Sequence, residues 1–239
     1  MLVLQRLQPC LIPLGFALLA ACAHAPLMTP APPPSREDAI KQLQAATPCC
    51  KSWSELPFHT PLPDSPQDFT IESTSPVAEL DGEHTHYLAF VLPAWHAPYR
   101  VLFKAQPSAR HLQSSYLFAP TATLLDAQFQ PLRSADVALC EYIGWRPGLS
   151  GAFGSIRVND PSAKYLVVTT SAAQLKTNTY WEQSPAAFSG DASSPTASGS
   201  FAIPHGPDGN VSVGVLTSSY RGAVDNAICG KPKQSTLLR

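Results

Sequence analysis

The sequence predicts an all-β fold: an antiparallel β-sandwich of jelly-roll-like form, preceded by a proline-rich tether and a short N-terminal helix. Two observations predict it. Short runs of alternating or β-branched apolar residues recur along the chain, separated by turn signals roughly every 8–12 residues. The composition agrees. Of 239 residues 14% are charged and 25 are proline, and a chain poor in charge but rich in Pro, Ser and Thr suits strands joined by long loops. With no crossover helices in view, the strands are expected to pair antiparallel.

The first element is not part of that fold. Leu11 to Ala21 is apolar, follows a single charge at Arg6, and has the length of a signal-peptide core, too short to cross a bilayer. It ends in Leu19-Ala20-Ala21-Cys22, which resembles the lipobox of bacterial lipoproteins. That resemblance implies that residues 1–21 are removed as a signal peptide and that Cys22 is the lipid attachment site. The next residue is Ala23, not Asp, and by resemblance to lipoprotein sorting signals this favours the outer membrane. One acyl chain binds a membrane marginally, whereas several on one residue hold durably. The competing reading, a secretory leader cut near Ala23-His24-Ala25, discards a cysteine that has no other evident use there.

Removing residues 1–21 from the 239 leaves 218, enough for one sizeable core or two small ones. Only Arg6 is lost in charge, so the formal balance moves from −1 to −2. Such a balance gives no reason to expect a nucleic-acid partner. Residues 22–48 read as the lipidated tether and the helix. Ala23 to Pro34 is proline-rich and so extended and semi-rigid. Ser35 then starts a helix, with Asp38 completing an approximate capping box. Ala39, Ile40, Leu43 and Ala46 form a weak apolar stripe, and Pro48 stops the helix. Docking onto the domain is the expected use of that stripe.

Residues 49–220 read as the sandwich and 221–239 as a C-terminal tail. Strands are expected at Ser54–Phe58, Phe69–Ser73 and Val77–Leu80, the last running into an Asp81-Gly82 turn. Leu88 to Leu92 is apolar on both faces, as a central strand requires. In the next strand Tyr99, Val101, Phe103 and Ala105 share one face, with Arg100 and Lys104 on the other. Further strands are expected at Tyr116–Phe118, Thr121–Leu125, Phe129–Leu132, Glu141–Trp145 and Gly154–Val158. Tyr165 to Thr170 is dense in β-branched residues, which suits a buried strand. Residues 184–200 are rich in Ser, Ala, Pro and Gly and read as a mobile loop. Phe201–Ile203, a turn over 205–210 and the alternating Val211, Val213 and Val215 complete the set.

Of six cysteines, Cys10 leaves with the leader and Cys22 carries lipid. Cys49, Cys50, Cys140 and Cys229 remain as disulfide candidates in a compartment that permits them. Adjacent cysteines pair with each other only with strain, so Cys49 and Cys50 are expected to reach Cys140 and Cys229. Three connectivities are open.

Catalytic signatures are sparse. Gly148-Leu149-Ser150-Gly151-Ala152 begins like a nucleophile elbow but has Ala152 where the second glycine belongs. No phosphate-binding loop or dinucleotide fingerprint is present. His84 and His86 repeat at strand spacing, which could supply half a metal site with His96, His111 or His205, but an exposed strand start beside a turn is the preferred reading, as no second dense ligand pair is visible. Asp81, Glu83, Asp126, Asp136, Glu141 and Glu182 fall mostly at strand ends and turns, where acids are common. No catalytic residue, metal or cofactor is therefore expected. Trp95, Trp145 and Trp181 each neighbour a polar residue in or near a loop. They are the candidate sugar-stacking residues, because the apolar face of a pyranose packs on an indole. Packing at the ends of the sandwich core is the competing use.

Cys49-Cys50, Glu55-Leu56-Pro57-Phe58, Tyr87 to Pro93, Pro98-Tyr99, Phe118-Ala119-Pro120, Leu124 to Phe129, Tyr165 to Thr170 and His205-Gly206 together resemble the maltose-operon periplasmic protein family. The resemblance covers most of the chain after the leader. It implies an exported, non-enzymatic protein linked to maltose or maltodextrin transport, here as an outer-membrane lipoprotein facing the periplasm. Its expected partners are the membrane through its lipid and a maltodextrin or an envelope protein. The other reading is a structural or adaptor lipoprotein that binds another envelope protein through an exposed strand or the Ser35–Ala46 helix.

Overall fold

Ser35 caps the first helix. Its Oγ accepts from the Asp38 amide at 3.2 Å and donates to the Asp38 carboxylate at 2.8 Å, which satisfies one of the free amides of the first turn. This is seen in a computed structural model that describes residues 35–108, 114–144, 146, 148–183 and 199–229. Cys22, the tether, Trp145, His111, residues 184–198 of the expected loop and residues 231–239 of the tail lie outside the described residues.

Helix α1 (Arg36–Ala45) buries Ala39 and Leu43. The Arg36 guanidinium donates to the carbonyls of His205, at 2.6 Å, and of Leu175. The helix is therefore docked on the domain, as its stripe predicts.

The strands are β1 (Thr60–Pro61), β2 (Gln67–Ile71), β3 (Val77–Leu80), β4 (Glu83–His86), β5 (Leu88–Val91), β6 (Tyr99–Ala105), β7 (Leu117–Phe118) and β8 (Thr121–Leu125). They continue as β9 (Pro131–Asp136), β10 (Cys140–Tyr142), β11 (Gly151–Val158), β12 (Tyr165–Thr169), β13 (Asn178–Gln183), β14 (Gly199–Gly206) and β15 (Gly209–Val215), before helix α2 (Ser218–Asn226). One five-stranded sheet has the order β1-β5-β12-β8-β9 and a second the order β10-β11-β6-β15-β2. A three-stranded sheet, β13-β14-β7, and the hairpin β3-β4 complete the described architecture. The fold is mostly β, with several mainly antiparallel sheets and two short helices.

Several expectations need correction. Pairing is not wholly antiparallel, since β1 with β5 and β7 with β14 are parallel over two residues each. In both cases many residues separate the partners, so the chain has room to return in the same direction. Ser54–Phe58 is not a strand. The Glu55 carboxylate accepts from the Lys51 amide at 2.8 Å and Ser52 Oγ at 3.0 Å, closing a 3₁₀ turn over Trp53–Glu55. The C-terminal segment is not a free tail from residue 221, because α2 crosses that boundary. The turn at Asp81-Gly82 is as expected, with φ of 52° and 81°, the left-handed pair that a two-residue hairpin needs and that Asp-Gly supplies at low cost.

Alternation along the strands builds three apolar clusters. In the first sheet Phe90, Ala122, Leu124, Leu166 and Val168 face the main core. Leu125 and Val167 face the opposite side, against Cys50, Leu56, Ala78 and Leu80. In the second sheet Val101, Phe103, Ile156, Val211 and Val213 face the same main core, while Leu102 and Phe153 pack on Ala223 of α2. That back face is thus not solvent. Lys104 lies on it 7% exposed, with its Nζ donating to the Gly148 carbonyl at 2.5 Å and lying 5.8 Å from the Phe153 ring centre.

Candidate functional site

Of the three candidate tryptophans, Trp95 and Trp181 fall among the described residues, and both pack with the main core. Trp95, in the loop between β5 and β6, is half-buried against the main core, and its ring centre lies 6.3 Å from that of Tyr99. Trp181, on β13, is 9% exposed within the main core. Its faces are taken by protein, so it closes the core as the competing reading holds. Trp145 lies outside the described residues.

A different aromatic surface is gathered around Cys49-Cys50. The Cys49 amide donates to the Val77 carbonyl at 2.8 Å, and the Glu79 amide to the Cys50 carbonyl at 2.9 Å. These bonds hold the cysteines alongside β3. Trp53, Phe58, Tyr87 and Tyr165 are partly buried around the same apolar cluster. Phe58 stands 4.5 Å from Tyr165 and 5.4 Å from Phe129 between ring centres, and Phe129 stacks on Tyr165 at 4.8 Å and 14°. The Tyr87 hydroxyl lies 3.4 Å from Cys49 Sγ, and partial burial raises the phenol pKa.

Phe129 holds this surface in an uncommon conformation. Its φ is 60°, a left-handed backbone that a bulky side chain adopts only when its surroundings impose it. The Asp126 carboxylate imposes it here, accepting from the amides of Gln128 and Gln130 at 2.8 Å each. The turn thereby aims the ring at Phe58 and Tyr165 and does not let it join the expected Phe129–Leu132 strand. Such a half-buried aromatic stack offers apolar ring faces of the kind that pack on a sugar. Sequence reasoning missed it because Phe58, Phe129 and Tyr165 are far apart along the chain. The one local hint was Asp126 two residues before a turn amide.

The cysteines pair otherwise than expected. Cys140 and Cys229 form a disulfide, with Cα atoms 4.6 Å apart, and the sulfurs of Cys49 and Cys50 face each other as a vicinal pair. The reason is topological. The β3 bonds keep Cys49 and Cys50 on the outer side of the first sheet. The reciprocal bonds of Glu141 with Ile228, at 3.2 and 2.8 Å, bring the C-terminal segment to the edge of the second.

The other candidates have structural work. His86 is 2% exposed with Nδ1 donating to the Ser75 carbonyl at 3.1 Å, and His84 Nδ1 lies 3.4 Å from the Leu43 carbonyl. Among the described residues no group of three or more His, Cys, Asp or Glu is arranged to hold a metal ion. Ser150 Oγ accepts from the Gly144 amide at 3.1 Å and donates to its carbonyl at 3.3 Å, a loop clamp. Glu83 accepts from the Ala172 amide at 3.0 Å, and Asp136 from the hydroxyls of Thr121 and Ser171 at 2.6 and 2.9 Å.

His205 is the most perturbed base. It is 4% exposed on β14. Its Nδ1 lies 3.1 Å from the Gln174 carbonyl and 2.9 Å from Thr177 Oγ1, and its Nε2 lies 2.9 Å from Thr179 Oγ1. Burial, aided by the nearby Arg36 guanidinium, holds its pKa down to about 4, against the opposing pull of the Gln174 carbonyl and Asp136. Its backbone carbonyl receives Arg36, so the same residue anchors helix α1.

No protein-family model, curated protein or solved structure matches this chain.

Proposed function

We propose that the chain is a non-enzymatic outer-membrane lipoprotein, facing the periplasm, that assists maltose or maltodextrin transport by holding a saccharide on its aromatic face. One observation carries its location: Leu19-Ala20-Ala21-Cys22 directly precedes a proline-rich tether. The Cys140–Cys229 disulfide suits an oxidising compartment. The domain is read as a β-sandwich of jelly-roll-like form, which the two five-stranded sheets facing one core favour. The saccharide is assigned to Trp53, Phe58, Phe129 and Tyr165 around Cys49-Cys50, where residues that carry the family resemblance meet. The surface of β9 favours the adaptor reading as well. Its residues are mostly exposed, Leu132 to 38%, and it lies at a sheet edge open to strand addition.

The test is titration of full-length protein in detergent with maltose and longer maltodextrins, followed by tryptophan fluorescence and calorimetry. Saturable binding is expected, with a loss of about tenfold in affinity on Phe58→Ala or Trp53→Ala, the scale of one stacking contact. A loss confined to Trp95→Ala transfers the site to the Trp95–Tyr99 loop. A flat titration by a folded protein overturns saccharide binding and leaves the adaptor reading.

A further inference from the structure

A cleft lined by guanidinium groups lies where β6 and β11 meet the start of α2. Its volume is about 390 Å³, and Pro98, Tyr99, Arg100, Arg157, Leu216 and Arg221 surround it. That is the size of a small ligand pocket.

The register explains why the arginines meet. In the antiparallel pair β6–β11, Arg100 stands directly opposite Arg157. Like charges so placed repel. Helix α2 then adds Arg221 and, one turn on, Asp225. Its start is fixed to the sheet by the Leu216 amide, which donates to the Arg100 carbonyl at 2.8 Å.

The three guanidiniums are not equivalent. Arg100 is locked: Nη1 donates to Asp225 at 2.8 Å, and Nε and Nη2 both donate to Ser155 Oγ at 3.1 and 2.8 Å. Arg157 and Arg221 are exposed, and among the described residues neither has an ion-pair partner. Three cations thus share one carboxylate in a protein whose formal charge is −1. The cluster is a local arrangement and not the reflection of a basic chain. Arginine presents a planar fork of donors that matches phosphate oxygens two at a time.

We propose that this cleft binds the phosphate group of a small ligand, with Arg157 and Arg221 as its direct donors and Arg100 as the fixed cation behind them. The site is separate from the aromatic face and does not rest on the saccharide reading.

Full-length protein in detergent is titrated with inorganic phosphate, with glucose 1-phosphate and with glucose as a neutral control. In a parallel arm, lipid vesicles with and without phosphatidate are sedimented with the protein lacking its lipid through Cys22→Ser. At least one phosphate-bearing probe is expected to bind saturably, more weakly as salt rises. Arg157→Gln and Arg221→Gln are each expected to lower affinity about tenfold, and Asp225→Asn to raise it severalfold by removing the competing carboxylate. Both arginine variants alter exposed side chains, and an unchanged melting temperature verifies that they fold. Binding of the soluble probes identifies a free phosphorylated ligand, whereas binding only to phosphatidate vesicles identifies a headgroup. The proposal is overturned if no phosphate-bearing probe binds, or if the Arg157→Gln/Arg221→Gln double variant binds as well as the parent.

Discussion

Replacing Cys140 and Cys229 together by alanine is expected to cost about 4 kcal/mol of stability, read from urea denaturation. The bond spans a sequence separation of 89 residues. Closing a loop of that length removes conformational freedom from the unfolded chain worth about 4.5 kcal/mol in the chain-entropy treatment. The folded state contributes too. The disulfide fastens the segment after α2 to the edge strand β10, beside the reciprocal Glu141–Ile228 bonds. Without it, Ala223 and its helix are expected to leave Leu102 and Phe153, with early loss of amide protection over 218–228. The matching change at Cys49 and Cys50 gives the contrast, because adjacent residues enclose almost no chain and hence almost no loop entropy. A Cys140→Ala/Cys229→Ala variant as stable as the parent would contradict the account. So would a larger loss from the Cys49 and Cys50 change.

Stability is also expected to fall by roughly 3 kcal/mol between pH 6.5 and pH 4 through His205 alone. The sign follows from the direction of the shift. In the unfolded chain a histidine titrates near pH 6.5, whereas here burial holds its pKa down to about 4. Across that window the unfolded chain binds more protons than the fold, so acid favours unfolding. Above pH 6.5 both states are neutral and the contribution is complete; below about pH 4 both are protonated and no further loss occurs. At about 1.4 kcal/mol for each pH unit the interval gives the stated size. The charged imidazolium would also repel Arg36, which binds the carbonyl of the same residue, so α1 is expected to loosen first. Carboxylates titrate in the same range, and the His205 share is therefore the difference in slope between the parent and His205→Gln. Equal slopes would contradict the assignment.

What was legible in the sequence followed from local rules. The Ser35 cap and the Asp81-Gly82 turn rest on contacts within a few residues, and the buried strand at Tyr165–Thr169 and the alternation of Val211, Val213 and Val215 on a pattern carried by the local sequence. Helix α2 was illegible because Ser218–Asn226 has Gly222 in its middle and little apolar text; Ala223, the sheet beneath it and the disulfide after it make it a helix. The cysteine pairing failed for a related reason. Strain between neighbours argued against Cys49 with Cys50, but their bonds to β3, and those of Glu141 with Ile228, place the two pairs of cysteines on different sheets. The candidate tryptophans each neighbour a polar residue in or near a loop, yet Trp181 falls on an inward position of β13. Phe58, Phe129 and Tyr165 meet only when the first sheet is assembled. The arginine cleft likewise needs the β6–β11 register.

The central claim is that the domain hangs from a membrane by Cys22. The most direct measurement is the intact mass and N-terminal peptide map of the protein recovered from the producing bacterium. A chain beginning at Cys22 and carrying acyl chains, found in the outer-membrane fraction and released from it by Cys22→Ser, is the predicted result. A soluble chain with an unmodified N-terminus beyond Cys22, near Pro26, would contradict the account and with it the assignment as a lipoprotein.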